Sequence, residues 1–190
     1  MKVLIIIGHP DEGSFSHALA HRFYEKLLCL GHDVKIIDLS LLEFDPILRK
    51  NMLKEPLEES LVNSQEAIVW CNKLIFFYPI WWGGMPALLK GWIDRVFISG
   101  FAFKFSDRFT WKKLLSGKSA HIVTTMDTPP FVYHCLAGEP NVKQMKNGIL
   151  EFCGIKPVTF SEYSPISHSS EEQREEWLKN IEALAENISK

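Results

Sequence analysis

The chain alternates between short apolar runs and longer amphipathic stretches, and this alternation restricts its fold more than any other feature of the sequence. Five runs have the length and composition of β-strands: residues 2–8, 33–39, 73–79, 119–125 and 156–162. The first and third runs are almost continuously apolar, which is typical of strands that helices cover on both faces of a parallel sheet.

The stretches that follow these runs have helical patterns. They cover residues 14–30, 57–71, 86–98, 141–153 and 171–189. Ser14 is a good N-cap residue, Pro86 suits a first helical turn, and Gly31 and Gly154 are typical of helix ends. Strands that alternate with helices along the whole chain predict an α/β fold with a doubly wound parallel sheet.

Five strands favour the flavodoxin-like strand order 2-1-3-4-5, with helices on both faces, over a six-stranded dinucleotide-binding fold. Residues 1–190 are expected to form a single domain, because this length is usual for one domain and the sequence has no internal repeat or linker. Two predicted connections, residues 42–60 and 99–116, are long and irregular. Such connections are either plain surface excursions or functional loops.

Composition restricts the partners and the compartment. The formal net charge of −2 does not favour a nucleic-acid partner. Four cysteines without a C-x-x-C pair indicate reduced thiols and a cytoplasmic location. The first apolar run is too short for a signal sequence or a membrane span, so no stable membrane insertion is expected.

The segment GHPDEGSFS, residues 8–16, follows the first predicted strand. Ligands of open α/β sheets bind outside the carboxyl ends of the strands, where the strand order reverses, and this segment lies there. A helix that begins near Ser14 offers unpaired backbone N–H groups to a phosphate, and Ser14, Ser16 and His9 add side-chain donors. A serine N-cap on an ordinary loop explains the same residues. Both interpretations stay open on this segment alone.

The segment FYPIWWGGMPALLKGWIDRVF, residues 77–97, places two tryptophans and two glycines directly after the third predicted strand. Large flat side chains on a glycine-rich turn suit a planar aromatic ligand. The alternative is that Trp81 and Trp82 belong to the hydrophobic core.

Together with residues 8–16, this segment resembles the NAD(P)H:quinone oxidoreductase family, which are flavoproteins with a flavodoxin-like fold. The resemblance continues through GFAFKF (100–105), IVTT (122–125) and GILEFCGI (148–155). It implies a flavin-dependent NAD(P)H dehydrogenase (quinone) that passes two electrons as hydride, in a ping-pong cycle, to quinone-like or other planar aromatic acceptors. It also implies FAD as cofactor, with FMN as the alternative, and NAD(P)H as co-substrate.

The resemblance assigns roles to individual residues. It implies that the flavin phosphates are bound by His9, Ser14, Phe15 and Ser16. It implies that the isoalloxazine ring is contacted by Pro79, Ile80, Trp81, Trp82, Gly83, Gly84, Thr124, Thr125, Met126 and Asp127. It implies a substrate pocket with Phe103, Phe105 and Phe131, and catalytic roles for Tyr133 and His134. Negative charge on the reduced flavin is expected to be stabilised by backbone N–H groups of residues 125–127 or by the Tyr133 hydroxyl.

The chain departs from the family pattern at several of these positions. Met126 and Asp127 replace a glycine pair that the family often has, and Phe103 and Phe105 replace tyrosines. The family's catalytic histidine, several residues beyond the tyrosine, has no match, and His134 directly follows Tyr133 instead.

Members of the family are homodimers, so the resemblance implies a homodimer whose active sites lie at the interface and are completed by the loop 99–110 of the partner. No metal site is expected, because His17, His21 and Glu25 share a helix face without further ligands. Two alternative functions stay open: a regulatory flavoprotein subunit of a membrane transporter, and a flavodoxin-type electron carrier. A carrier is expected to be strongly acidic, which the net charge of −2 does not support.

Overall fold

The structure is a computed structural model that describes residues 1–50, 52, 55–136 and 138–188. Its strands in chain order are β1 (Lys2–Ile7), β2 (Asp33–Asp38), β3 (Lys73–Pro79), β4 (Phe103–Phe105), β5 (Trp111–Lys113), β6 (Ser119–Thr125) and β7 (Val158–Tyr163). Five of them form a parallel sheet in the order β2-β1-β3-β6-β7. Counted by the strands of this sheet alone, the predicted flavodoxin-like order 2-1-3-4-5 is confirmed.

The helices are α1 (Phe15–Cys29), α2 (Glu59–Trp70), α3 (Ala87–Val96), a composite helix α4, and α5 (Glu171–Ile188), and a short π-helical stretch, Val132–Leu136, precedes α4. Within α4, a π-helical stretch, Lys143–Leu150, lies between the short α-helical pieces Pro140–Val142 and Glu151–Cys153. The sequence predicts an ordinary helix over residues 141–153, because π-helical stretches are rare and are not expected from a helical pattern. Residue 189, the last of the predicted C-terminal helix, lies outside the described residues.

The two faces of the sheet are covered by different helices, as the sequence predicts. Alternate side chains of a strand point to opposite faces. Ile6 and Phe76 pack in the core under α2, α3 and α4, whereas Ile5, Ile7 and Phe77 pack in the core under α1 and α5. None of the helices among the described residues is long and apolar enough to cross a membrane.

The sequence predicted an irregular connection over residues 99–116. The structure corrects this in part, because β4 and β5 form a small antiparallel hairpin within it. Strands of three residues are too short to show an alternating pattern in the sequence. The hairpin packs on the end of α4, where the Trp111 ring stacks on the Phe152 ring with a centroid distance of 4.6 Å.

The other long connection, residues 42–60, is held against α3, although residues 51, 53 and 54 lie outside the described part. Arg95 has a side chain only 3% exposed, and it donates to the Asp45 carbonyl and to the Glu58 carboxylate. Gly91 allows the loop to lie close to the helix, since a Cβ atom there would be 2.5 Å from Cβ of Pro46.

Candidate functional site

An open cavity of about 650 Å³ lies at the carboxyl end of the sheet, beside the neighbouring strands β1 and β3. This edge is where open α/β sheets bind ligands, and the volume is usual for a small-molecule or cofactor site. The cavity is lined by His9, Ser14, Phe15, Ser16, Pro79, Ile80, Trp81, Trp82, Thr125, Met126, Asp127, Thr128 and Ile166.

Most of the residues predicted to bind the cofactor line this one cavity, but Gly83, Gly84 and Thr124 do not. Thr124 precedes Thr125 on β6, so its side chain points to the opposite face of the sheet, where it is completely buried. Gly83 packs against the start of α4, since a Cβ atom there would be 3.1 Å from Cγ of Pro140.

Two cavity residues, Thr128 and Ile166, were not predicted from the sequence. Both follow the carboxyl ends of strands, β6 and β7, at the edge of the sheet where the cavity lies. Their position after a predicted strand was the only sign in the sequence that Thr128 and Ile166 could line a cavity. This sign does not identify them, because the path of each loop decides which of its residues face the cavity.

The start of α1 gives one part of the cavity the features that suit an anion. The first N–H groups of a helix have no partners within the helix, and the helix dipole adds positive potential there. Ser16 lies in this first turn, and its hydroxyl is hydrogen-bonded to the Thr125 hydroxyl at 3.0 Å. This bond fixes the start of α1 against the end of β6, so both hydroxyl groups are held at the cavity.

His9 is arranged as a hydrogen-bond donor. Its Nδ1 accepts a hydrogen bond from the Asp11 backbone N–H at 2.9 Å, so the neutral imidazole carries its hydrogen on Nε2. Burial lowers the pKa of His9, which favours this neutral form. The ring meets the Trp81 ring edge-on, with a centroid distance of 5.4 Å.

The two tryptophans form a tight turn at the rim of the cavity. Trp81 and Gly84 exchange backbone hydrogen bonds of 2.9 and 3.0 Å around Trp82 and Gly83. These two central residues have φ angles of 52° and 78°, which is the pattern of a type I′ turn. A positive φ is rare for a bulky residue, and such strain concentrates at functional sites.

The tryptophan side chains do not belong to the core, which excludes the alternative interpretation of the sequence. Trp81 is 45% exposed and Trp82 is fully exposed. The strained backbone therefore holds a large aromatic surface at the cavity rim.

The opposite wall of the cavity is tied to the end of β6. The Asp127 carboxylate accepts hydrogen bonds of 2.7 Å from both the backbone N–H and the hydroxyl of Ser167, and these bonds lower the pKa of Asp127. The Ile166 N–H donates to the Met126 carbonyl. The Met126 N–H itself donates to the Tyr163 carbonyl at 3.1 Å. The Met126 N–H is therefore unavailable to a reduced flavin. This corrects the expectation, for residue 126, that the backbone N–H groups of residues 125–127 stabilise the negative charge on the flavin.

Tyr133 and His134, the predicted catalytic pair, do not line the cavity. Tyr133 is 2% exposed, and its hydroxyl has no hydrogen-bond partner within the described chain. Burial, followed by the charge of Glu162, raises the pKa of Tyr133 to about 12, so the hydroxyl keeps its hydrogen at neutral pH.

His134 lies instead beside a second cavity of about 500 Å³. Its two ring nitrogens are 2.5 Å from a Glu139 oxygen and 2.7 Å from a Glu162 oxygen. The hydrogen bond to Glu139 is the main cause that raises the pKa of His134. A protonated imidazole between two carboxylates fits this geometry, so His134 is already engaged away from the first cavity.

The three phenylalanines predicted for the substrate pocket also lie outside the cavity wall of a single chain. Phe103 packs against Phe152 at a centroid distance of 5.1 Å. Phe105 and Phe131 are 55% and 68% exposed, so both present apolar surface to solvent.

Comparisons with known proteins agree with this architecture. A model of the flavodoxin-like fold matches residues 1–186. The chain is similar to NAD(P)H dehydrogenase [quinone] 1 of Cavia porcellus, with 29% identity over 98% of this chain and 77% of that protein.

Solved structures show the same fold. Smu.1420 from Streptococcus mutans UA159 has a TM-score of 0.82 and 32% identity, with 98% of this chain and all of that chain covered. NAD(P)H:quinone oxidoreductase from Methanothermobacter marburgensis has a TM-score of 0.84 and 26% identity, with coverage of 100% and 98%.

Proposed function

The chain belongs to the flavodoxin-like family that includes NAD(P)H:quinone oxidoreductases, and we propose that it is a flavin-dependent NAD(P)H:quinone oxidoreductase. The observation that carries this proposal is the single cavity that joins an anion-binding helix start to an aromatic rim. Ser14, Ser16 and His9 lie at one part of it, and Trp81 and Trp82 lie at another. A flavin has the matching chemistry, with an anionic phosphate tail and a flat aromatic ring.

The residues of the cavity fit a flavin nucleotide. The first turn of α1, the Ser14 and Ser16 hydroxyls and His9 Nε2 would bind the phosphate. Ile80, Trp82 and Thr125 would border the ring. When bound there, a flavin would supply the redox chemistry for transfer of two electrons from NAD(P)H to a quinone.

The task of the protein is then to position the rings and to limit the access of water. The exposed Trp82 indole offers a flat apolar surface beside the ring site, on which a planar acceptor can lie. Because this rim is open and mostly apolar, acceptors are selected by flatness and size more than by hydrogen bonding. Quinones and other planar aromatic compounds meet that requirement.

We propose FAD rather than FMN as the resident cofactor. Beyond the helix start, the cavity wall continues to Phe15 and Ile166, which are suited to an adenosine group. The Arg174 guanidinium donates to the Ile166 carbonyl at 3.1 Å and to the Ser169 hydroxyl at 2.8 Å. Arg174 does not itself line the cavity, so it supports FAD only through the positive charge that these bonds hold next to Ile166.

We also propose a homodimer with its active sites at the interface. Phe105, Phe109 and Phe131 are 55%, 79% and 68% exposed, and a second copy would cover such side chains. Of the three phenylalanines predicted for the substrate pocket, Phe105 and Phe131 would then meet the cavity of the partner, whereas Phe103 stays packed against Phe152. The four cysteines are all free, which supports a reducing, cytoplasmic environment.

The test of the proposed function begins with the purified protein. We expect a yellow protein whose released flavin co-migrates with FAD in chromatography. Under anaerobic conditions NADH or NADPH should bleach the visible absorbance, and a quinone should restore it. Catalytic turnover separates the enzyme from both alternatives, an electron carrier and a regulatory subunit.

Two results would contradict the proposal. A colourless protein that takes up neither FAD nor FMN would exclude the flavoprotein assignment. A yellow protein that neither NADH nor NADPH bleaches would favour the electron carrier. Light scattering tests the dimer independently, since a monomer at working concentration would leave the active site without its proposed partner.

A further inference from the structure

Beneath the first turn of α1, where the phosphate is proposed to bind, three side chains form a continuous hydrogen-bonded row. The Ser14 hydroxyl is 2.8 Å from Nδ1 of His17, and Nε2 of His17 is 2.9 Å from an Asp38 carboxylate oxygen. His17 is only 2% exposed, whereas Ser14 lines the cavity. The row therefore connects the cavity to a buried imidazole and to a carboxylate at the end of β2.

The positions of the hydrogens follow from the acceptor at one end of the row. The second oxygen of Asp38 accepts hydrogen bonds from the Ser40 N–H and hydroxyl, at 3.0 and 2.7 Å, as an ionised carboxylate does. The His17 Nε2–H therefore donates to Asp38, and when the imidazole is neutral its Nδ1 is an acceptor. The Ser14 hydroxyl must then donate its hydrogen to His17, which leaves its lone pairs for the cavity.

This arrangement is unfavourable for a phosphate, because oxygen lone pairs would face an anion. Protonation of His17 reverses it. The new Nδ1–H donates to the Ser14 oxygen, and the Ser14 hydrogen is released to donate to a phosphate oxygen. The positive imidazolium also lies behind the serine, where it attracts the anion.

We propose that His17 and Asp38 are positioning residues that couple binding of the flavin phosphate to the uptake of one proton. This inference rests on the proposed function, because it deepens the role of the same cavity. The proton comes from solvent and is held on Nδ1 of His17, while the Ser14 hydroxyl changes its acceptor from His17 to the phosphate. The Nδ1–H bond of His17 is the one covalent bond that forms, and the Ser14 O–H bond is kept.

Some of the charged and titratable groups around His17 favour its protonated form, and others disfavour it. Asp38 on β2 favours the imidazolium. The His9 ring, 6.2 Å away in the β1–α1 loop, and the His21 ring, 6.4 Å away on α1, disfavour it when they are protonated. The Asp38 carboxylate is hydrogen-bonded to His17, whereas the rings of His9 and His21 are more than 6 Å away. The effect of the carboxylate is therefore the stronger one. The phosphate itself adds a second anion on the other side of Ser14.

A role limited to helix capping does not explain this geometry. The His17 backbone N–H is 3.4 Å from the Ser14 oxygen, a long bond for an N-cap, whereas the imidazole is 2.8 Å away. The hydroxyl is thus oriented mainly by the side chain of His17.

The experiment compares FMN with riboflavin, which has the same ring but no phosphate. The flavin-free full-length protein is titrated with each at about pH 8, where a phosphate monoester is already a dianion. Calorimetry in two buffers of different ionisation enthalpy gives the number of protons taken up. We expect close to one proton per FMN and close to none per riboflavin.

Substitutions identify the residue that takes up the proton. His17→Gln keeps a side-chain amide but cannot be protonated, so the uptake with FMN should disappear. His21→Gln is the matched control, since it removes a neighbouring imidazole that does not contact Ser14, and it should keep the uptake. Should His17→Gln fail to fold, Asp38→Asn serves instead, because loss of the carboxylate should reduce the uptake.

Equal proton uptake for FMN and riboflavin, or uptake that neither His17→Gln nor Asp38→Asn reduces, would overturn the inference and leave flavin binding intact. Failure of the wild-type protein to bind FMN, riboflavin and also FAD, titrated in parallel, would instead overturn the proposed function. The two failures are therefore distinguishable in one set of titrations.

Discussion

Replacing Trp82 by asparagine should stabilise the flavin-free protein while weakening its hold on the cofactor. Trp82 has a φ angle of 52° and is followed by Gly83 at 78°. An L-residue other than glycine, asparagine or aspartate pays about 1–2 kcal/mol for such a left-handed conformation. Asn-Gly is the preferred sequence for the two central residues of a type I′ turn.

The size of the effect follows from the exposure of the side chain. Because Trp82 is fully exposed, its removal from the flavin-free chain sacrifices almost no buried apolar area. The two backbone bonds between Trp81 and Gly84 are retained. We therefore expect the free energy of unfolding to rise by about 1 kcal/mol, which corresponds to an increase of about 2–4 °C in Tm for a chain of this size.

The assay is thermal and denaturant unfolding of the flavin-free protein, since a bound flavin would stabilise the wild type and conceal the gain. The flavin Kd is measured in parallel. Loss of an aromatic contact worth about 0.5–1.5 kcal/mol predicts affinity about 2- to 12-fold weaker.

Trp81→Asn is the matched control, because Trp81 is only 45% exposed and contacts the His9 ring. It should destabilise the flavin-free protein. A Trp82→Asn variant that is less stable than the wild type would refute the strain argument, and unchanged flavin affinity would refute the placement of the ring site.

Three further predictions concern the supports of the cavity. Ser16→Ala leaves the buried Thr125 hydroxyl without its partner and should cost about 1–3 kcal/mol in the free energy of unfolding, measured with denaturant, and weaken FMN binding. Gly91→Ala forces a methyl group against Pro46 and should cost about 1–3 kcal/mol, whereas Gly13→Ala, with open space around its Cβ position, should change stability by less than about 0.5 kcal/mol. Asp127 has a folded-state pKa below its ordinary value because of Ser167, so its contribution is present at neutral pH and is lost as the pH falls through that lowered pKa. Asp127→Asn should therefore flatten the loss of stability below about pH 4 in acid unfolding curves, and an unchanged slope would contradict this role.

The sheet and the loops that carry the cavity could be predicted because they depend on local patterns. The apolar runs that form β1 and β3 place residues 8–16 and 80–84 at one edge once the strand order is known. The tertiary details could not be predicted in this way. Ile166 reaches the cavity only because Ile166 and Ser167 hydrogen-bond to Met126 and Asp127 across neighbouring loops.

The predicted catalytic pair shows the limit of motif reasoning most clearly. Tyr133 and His134 follow Pro129 and Pro130, in a segment whose residues have no strand or helix period. The direction of each side chain there depends on contacts with distant residues, such as the ion pair between His134 and Glu162. The resemblance to the family therefore pointed to the segment that contains Tyr133 and His134, but it could not show that His134 faces the second cavity and not the first.

The two sides of the cavity differ in how firmly they are anchored. The wall that contains Asp127 and Ile166 is fastened to the sheet by several main-chain and side-chain hydrogen bonds. The tryptophan turn is closed by the pair of backbone bonds between Trp81 and Gly84. It is held to the rest of the chain by the bond from the Ile80 N–H to the Thr125 carbonyl, by the His9 ring and by Pro140. Of the two indoles, only that of Trp82 is fully exposed, so the exchange of one planar molecule for another requires the least rearrangement at this indole.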